Sequence, residues 1–600
     1  MYTGSTPVRA SIASVAGEFS KPMNRDQIRF IDYSLYILLA LVFAARVYTI
    51  PRYGINWDET FYLSKIYDFA DGRLSALFQQ GGVYFFQWLR LIPGTEVEKI
   101  IAGRFAMLGL NVVTGAMIFL ISRQFFSKTS SLLAVLSYFC VSYVCWQGAS
   151  FRADPLITAL MMSALFIAIT KPETFFYGFL TALLIALSGF VSIKSVFLAI
   201  PLGLALLVRY KEAQFDRRLL HYTLFVSIGS VLFFGALVML HSTFLSNQTT
   251  RLGEQPTLHH HIEMFILNAG FFHSPQYIVT TLIFDFGFWL LLLWGLVLAF
   301  KELRTSKLLT HSQLLILLSL AVPLFTLIFY RNVFPYYYAF MLAPVSVLCG
   351  MSSEYFIRKR KNASFLFFAL TGLFSANLLI HNISRTNLIN MQTQKEFIET
   401  VHKIFPEPVP YLDTHSMISS YPKVGFFMST AGVNRYLNDE RYFLEDLMIR
   451  QHPLFVIASN TVHKVGKIGN SDPNSKMVLG DESDTFYYKL KPEDQGFINQ
   501  NYLHHWRQLY VAGKTFENIS RAPHTFDLYI GGPYTVEADH PVTIDGARHI
   551  PGEVVLLKAG THTILSHSDE QTATLRWGDR LYRPQETLKP EDIPPLYTTF

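Results

Sequence analysis

Apolar residues in this 600-residue chain gather into runs long enough to cross a bilayer, and nothing else in the sequence constrains the fold as much. A hydrocarbon core about 30 Å thick takes about 20 apolar residues per helix. Eleven runs meet or approach that length: 30–50, 98–121, 130–147, 155–170, 174–191, 194–209, 219–241, 276–300, 308–330, 335–351 and 363–382. The runs 174–191 and 194–209 read either as two spans or as one re-entrant hairpin. Beyond about residue 390 no such run occurs. Charged residues make up 16% of the chain, against about 25% in ordinary soluble domains, which disfavours a wholly soluble protein. The aliphatic and aromatic content excludes a disordered or collagen-like chain. Three Cys exclude a disulfide scaffold, and the net charge of +6 gives no sign of a nucleic-acid partner.

Loop charges give the sidedness. With residues 1–29 in the cytoplasm, the inner segments hold Arg25 and Arg29, Arg123 and Lys128, Lys171, the group Arg209 to Arg218, the group Lys301 to Lys307, and Arg358 to Lys361. The opposite short loops hold about one cation each: Arg152, Lys194, Arg251 and Arg331. Only the long outer loop 51–97 holds several. The expected fold is an α-helical polytopic membrane protein of about eleven spans, N-terminus in and C-terminus out. Residues 1–29 have no apolar h-region, so no cleavable signal peptide is expected. Residues 30–389 form the membrane region, and the last third lies outside the cytoplasm. That third divides into an α/β part, 390–500, and a β-rich part, 501–600. In the latter, runs such as FDLYI, YTVEA and HTILS alternate with turn residues, the pattern of a β-sandwich.

An ionisable residue at membrane depth is costly and points to function. The outer edge has few. Asp58 and Glu59 follow Trp57 directly after the first span. Adjacent carboxylates in a half-buried place push their pKa values apart, leaving one ionised to act as a base; a solvated pair of loop acids is the other reading. Arg152 and Asp154 share the short loop before the fourth span. Asp154 reads either as a helix cap alone or as a cap that also meets a ligand. Lys194 is the only charge between Glu173 and Arg209, and Arg331 precedes the run Tyr336, Tyr337, Tyr338. Each of these two also suits an interfacial anchor. Together, cations and carboxylates on one side of the membrane suit an anionic, phosphate-bearing ligand and a proton abstraction. His259, His260 and His261 lie in the outer loop 242–275. A divalent metal held through His259 and His261 is one reading and a plain polar loop the other.

In order and sidedness these motifs resemble the lipid-linked-sugar-dependent glycosyltransferases of the GT-C fold, in particular the protein O-mannosyltransferases and the bacterial aminoarabinose transferases of lipid A. The Asp-Glu pair of that family is matched by Asp58-Glu59 in WDET, its second-span Arg by Arg104 in AGRFAM, and its Arg and Asp before the fourth span by FRADP. SIKS with Lys194 is a looser match, without the family's Gly, and RNVFPYYYAFMLAP supplies the late Arg, Tyr and Pro. The resemblance covers about residues 30–350 and omits the soluble third. The long insertion of eukaryotic protein mannosyltransferases is absent from the sequence, which favours a bacterial inner-membrane enzyme. The resemblance implies a polyprenyl-phosphate sugar donor whose phosphate sits near Lys194, Arg331 and Arg152. It implies Asp58 as general base, with Glu59 and Asp154 positioning it or the acceptor. Trp57, Arg104, Tyr336 and Tyr337 would then bind substrate. The acceptor is an extracytoplasmic glycan, lipid or protein. Two other readings are a transporter or flippase of lipid-linked glycans, for which Asp285 would be the mid-span acid although it reads more readily as a helix-packing residue, and a silent receptor acting through its C-terminal domains.

Overall fold

The computed structural model describes residues 25–600 apart from 75–76, 78–79, 246–270, 273, 306–307, 360–371, 373–374, 376–390, 426–435, 437–443, 460–461, 465–466, 470–490, 569, 587–595 and 598–600. Among the described residues, eight helical stretches are long and apolar enough to cross a membrane, which makes this a multi-pass membrane protein. They are α1 (Arg25–Thr49), α3 (Glu96–Ser122), α6 (Ala153–Thr170), Ile193–Glu212 containing α8 (Val196–Glu212), α9 (Arg217–Ser242), α11 (Phe286–Thr305), His311–Phe329, and Pro335–Arg358 containing α12 (Pro335–Val345). Helix α2 (Trp57–Ala70) lies in the loop between the first two.

The other three apolar runs have separate outcomes. The run 174–191 is helix α7 (Phe175–Val191), 17 residues long. The run 363–382 lies outside the described residues except for Gly372 and Ser375. The run 130–147 breaks into α4 (Lys128–Phe139) and α5 (Ser142–Gln147). The cause of the break is distant in sequence. Asp285, between α10 (Pro275–Phe284) and α11, accepts the Ser142 backbone N–H and hydroxyl, each at 2.8 Å. In an apolar medium a freed backbone donor needs such a partner. Asp285 therefore caps a broken helix here.

The helices differ in enclosure. The apolar windows of α1 and α9 are each 17% buried, that of α6 67%, and that of 335–358 89%. The central helices are thus α6 and α12, and both carry candidate site residues.

The C-terminal region is built on sheets. Strand β1 (Tyr411–Asp413) pairs in parallel with β2 (Lys423–Val424) and β3 (Phe455–Ile457). Strand β3 pairs antiparallel with β7 (Leu509–Ile519), which also pairs with β6 (Tyr502–Trp506) and β14 (Gln571–Trp577). Strands β9 (Gly532–Ala538) and β12 (Val554–Leu557) complete this sheet beyond β14. A single sheet therefore crosses the expected junction at 500, because the eleven residues of β7 reach into both parts. A second sheet has the order β11 (Ala547–His549), β10 (Val542–Ile544), β13 (Gly560–Ser566), β8 (His524–Leu528). Phe516, Val536, Val542, Ile564 and Leu575 from both sheets share one core, as the two inner faces of a sandwich do. Strands β4 (Val462–Lys464) and β5 (Lys467–Gly469) form a separate hairpin.

In that second sheet the His562 Nδ1 and Asp545 Oδ2 lie 2.6 Å apart. Burial works against both charges. The pair outweighs it, raising the imidazole above its ordinary 6.5 and holding the carboxyl below its ordinary 3.8. The His contribution is present below pH 6.5 and fades as pH rises through the raised value. The Asp contribution fades as pH falls through the lowered one. Hydrogen exchange of the β10 and β13 amides should therefore be slower near pH 5.5 than at pH 8 once intrinsic rates are divided out, by about two- to fivefold for a pair whose carboxylate is exposed. His562→Asn should remove that difference; an unchanged ratio in the variant would disprove it.

The C-terminal region packs on the face of the membrane region that carries the 51–97 loop. Gln394 of α13 (Met391–Ile404) accepts from Ile55 N at 2.7 Å and donates to Ile55 O at 2.8 Å. Lys395 meets Glu98 at 2.7 Å and His402 meets Glu96 at 2.9 Å. Tyr597 and Thr60 hydroxyls lie 3.0 Å apart.

Candidate active site

The WDET segment begins a helix. Asn56 caps α2: its side chain accepts the Asp58 N–H at 3.0 Å, and its own N–H donates to Glu59 at 3.0 Å. This is a capping box, which satisfies two orphan donors reciprocally. It also sends the two neighbouring carboxylates to different partners.

Glu59 turns inward and is 0% exposed. Arg104 of α3 grips it with Nε at 2.8 Å and Nη2 at 2.5 Å, and Phe151 N donates at 2.8 Å. Burial pushes the Glu59 carboxyl up, but Arg104 and the two backbone donors outweigh it and hold it below the ordinary carboxylate range. The same guanidinium donates to the carbonyls of Ile50 at 3.0 Å, Tyr53 at 2.7 Å and Gly54 at 2.8 Å. Arg104 thus fastens the whole crossing from α1 into α2.

Asp58 leads into a chain of ion pairs. Its Oδ2 accepts from Arg152 Nη1. Arg152 reaches Asp154 through Nε at 3.5 Å, and Asp154 Oδ1 accepts from Lys194 at 2.9 Å. Arg152 is the N-cap residue of α6, Asp154 sits in that helix's first turn, and Lys194 lies in the short turn after α7. The Tyr336 ring of α12 supports both cations, with Arg152 Cζ 3.5 Å and Lys194 Nζ 4.6 Å from its centroid. Four residues named from their sidedness are therefore in one contiguous chain. Its formal charge sums to zero.

The remaining candidates are placed as follows. Tyr336 donates to Asn332 at 3.1 Å, and Tyr337 is buried with its hydroxyl on Thr326 at 2.8 Å. Arg331 is half-buried and makes no side-chain hydrogen bond or ion pair among the described residues. Trp57 stacks on His415, centroids 5.0 Å apart and planes 14° apart. That contact joins residues more than 350 positions apart, and nothing local signals it. His259 and His261 lie outside the described residues. Among the described residues no group of three or more His, Cys, Asp and Glu is arranged to hold a metal ion.

No protein-family model matches the sequence, and no curated protein matches it. Solved structures do. The apo oligosaccharyltransferase of Archaeoglobus fulgidus superposes with a TM-score of 0.50 at 10% identity, over 92% of this chain and 98% of that one. The fold is GT-C-like. At this identity the GT-C likeness concerns architecture alone. Two further matches are weaker. ArnT from Cupriavidus metallidurans bound to undecaprenyl phosphate gives a TM-score of 0.46 at 12% identity, over 66% of this chain and 87% of that one. Arabinosyltransferase EmbB from Mycobacterium smegmatis gives 0.35 at 10%, over 91% and 64%.

Proposed function

We propose that this protein is an integral membrane glycosyltransferase. It moves a sugar from a polyprenyl-phosphate donor to a hydroxyl of an extracytoplasmic glycan, lipid or protein, with Asp58 as general base. The observation that carries the reading is the chain Asp58–Arg152–Asp154–Lys194 at the membrane edge. The GT-C-like fold supports it.

A neutral chain of alternating charges is suited to exchange. An arriving phosphodiester competes for Arg152 and Lys194, and Arg331 supplies a cation that no carboxylate among the described residues engages. As Arg152 turns to the phosphate, the Asp58 carboxylate is released to accept from the acceptor hydroxyl. Asp58 then takes the proton from the acceptor hydroxyl. The acceptor oxygen bonds to the anomeric carbon, and the bond from that carbon to the phosphate oxygen breaks with its electron pair going to the phosphate. Phosphate leaves on the lipid with one more negative charge, which the cations stabilise. The proton on Asp58 is returned to water. Glu59 and Arg104, bound to each other, hold the helix that carries Asp58. Tyr336 holds the two cations in register.

Purified protein and a labelled polyprenyl-phosphate sugar test the reaction, and mass spectrometry of surface glycans and lipids with and without the gene names the acceptor. Unchanged glycans together with no transfer in vitro would reject the reading. Lys194→Ala and Arg331→Ala should each raise the donor KM about tenfold or more, the worth of a hydrogen bond to a charged group. Arg331→Ala is the cleaner test, since that side chain has no protein partner to lose among the described residues. Unchanged donor KM in both variants would remove the phosphate site.

A further inference from the structure

The parallel strands β1 and β3 lie side by side, and the residues just beyond their carboxyl ends form one knot of hydrogen bonds. The Asp413 carboxylate, 3% exposed, accepts from Met417 N at 2.6 Å and from the Ser459 hydroxyl at 2.9 Å. The Ser459 and Thr414 hydroxyls lie 2.7 Å apart, and Thr414 Oγ1 lies 2.7 Å from His415 Nδ1. Ser416 is buried with a φ of 61°, a left-handed conformation that a residue with a Cβ adopts at a cost. Such strain persists only where the surroundings over-determine it, and it gathers at functional sites. Carboxyl ends of parallel strands are also where α/β sheets present functional groups. A turn so held fixes the direction in which the side chain of residue 415 leaves it.

The His415 ring is fully buried and lies flat on Trp57, the first residue of α2. Three residues along the helix, the Thr60 hydroxyl donates to the His415 carbonyl at 2.8 Å, and the Ser419 hydroxyl donates to the Thr60 carbonyl at 2.9 Å. Residues three apart share one face of a helix, so Trp57 and Thr60 present a single face to the turn 413–419. Glu59 points elsewhere, into Arg104. The first turn of α2 is therefore gripped from two sides, by the membrane region through Glu59 and by the C-terminal region through Trp57 and Thr60. Asp58 lies between these two grips in sequence, with its carboxylate on Arg152.

The rotation of α2 about its own axis decides where Asp58 points. A carboxylate on an α-helix stands about 5 Å from the axis, so a turn of about 20° moves it by about 2 Å. A misplacement of about 1 Å can cost about 10²-fold in rate. We infer that His415 is a positioning residue for sugar transfer: its ring holds Trp57, and through Trp57 the rotation of α2 that aims the Asp58 carboxylate. The C-terminal region then belongs to the frame of the active site, although it brings no group to the reacting atoms. The kinetic part of the inference rests on the function proposed above; the clamp itself does not.

The test uses the full chain in nanodiscs, below the thermal midpoint of each variant. Undecaprenyl-phosphate mannose, glucose, galactose and arabinose, each labelled in the sugar, are offered with membranes from a strain lacking the gene as the source of acceptor. His415→Gln removes the ring and keeps a polar group for Thr414; His415→Phe keeps a ring and removes its nitrogens. His415→Gln should lower kcat by about 10–100-fold with donor KM unchanged or lowered, and His415→Phe should stay within about threefold of wild type. In an Asp58→Asn background His415→Gln should cost less than about threefold more, because it acts through Asp58. Hydrogen exchange needs no turnover: amides 61–64 of α2 should exchange about tenfold faster in His415→Gln, and at the wild-type rate in His415→Phe. Trp57→Leu removes the stack from the other side and should repeat the kcat and exchange effects, which decides the matter should His415→Gln not fold. A wild-type kcat in His415→Gln or Trp57→Leu, equal losses in the Gln and Phe variants, or an undiminished loss in the Asp58→Asn background would each overturn the inference and leave the proposed function standing. No turnover of any donor by the wild-type protein would remove that function and the kinetic part with it. Unchanged exchange in His415→Gln would overturn the clamp in either case.

Discussion

Asp58→Asn is expected to lower sugar transfer by about 10²–10⁴-fold, the usual worth of a positioned general base. The substitution keeps the size of the side chain and an oxygen able to accept from Arg152, so the fold should be spared. The side chain is 16% exposed and lies at the end of the ion-pair chain, not inside it. Donor affinity has a predictable sign. With the Asp58 charge gone, Asp154 at 3.5 Å is the one carboxylate still paired with Arg152 among the described residues, and Arg152 should hold an anionic phosphate at least as well. A fall in kcat with donor KM unchanged or lowered is therefore the expected signature. Loss of kcat together with a raised KM would point instead to a collapsed site. Transfer at the wild-type rate would end the general-base assignment.

The membrane architecture is legible because apolar length is a local property. Among the described residues eight stretches meet it directly. The break at 140–141 is not local, since the carboxylate that satisfies Ser142 comes from Asp285, 143 positions away. The edge charges could be named because so few exist, and a charge at that depth must find a partner. Their pairing order could not be named, since it depends on how α2, α6 and the turn at Lys194 meet. The division of labour between Asp58 and Glu59 had one available signal. The pattern Asn-x-x-Glu at 56–59 is a capping box, and Thr-x-x-Glu at 95–98 is another. Read that way, it places Glu59 at the third position of a helix, reaching back to the cap. Gln394 reaches Ile55 just ahead of the WDET helix, and His415 and Tyr597 reach Thr60 within it, each from more than 300 residues away. No spacing rule reports such contacts.

The largest loss of stability should follow removal of Arg104. Its side chain is 3% exposed and its partner Glu59 is fully buried. Replacement by Leu leaves the Glu59 charge without its counter-ion and takes the Arg104 donors from three carbonyls, of Ile50, Tyr53 and Gly54. Breaking a buried pair from one side costs about 3–5 kcal/mol. Arg104→Lys should recover little, because one ammonium cannot serve the fork of Glu59 and three carbonyls at once. Glu59→Gln is the discriminating partner experiment, since it preserves shape and removes charge. If Glu59 holds the helix, Glu59→Gln and Arg104→Leu should lower the thermal midpoint and kcat together. The double variant should then lose less than the sum, because the two residues form one unit. If Glu59 instead takes part in the chemistry, Glu59→Gln will lose kcat at an unchanged midpoint. Full thermal stability in Arg104→Leu would show that the crossing from α1 into α2 is held by other contacts. The position of Asp58 would then need another explanation.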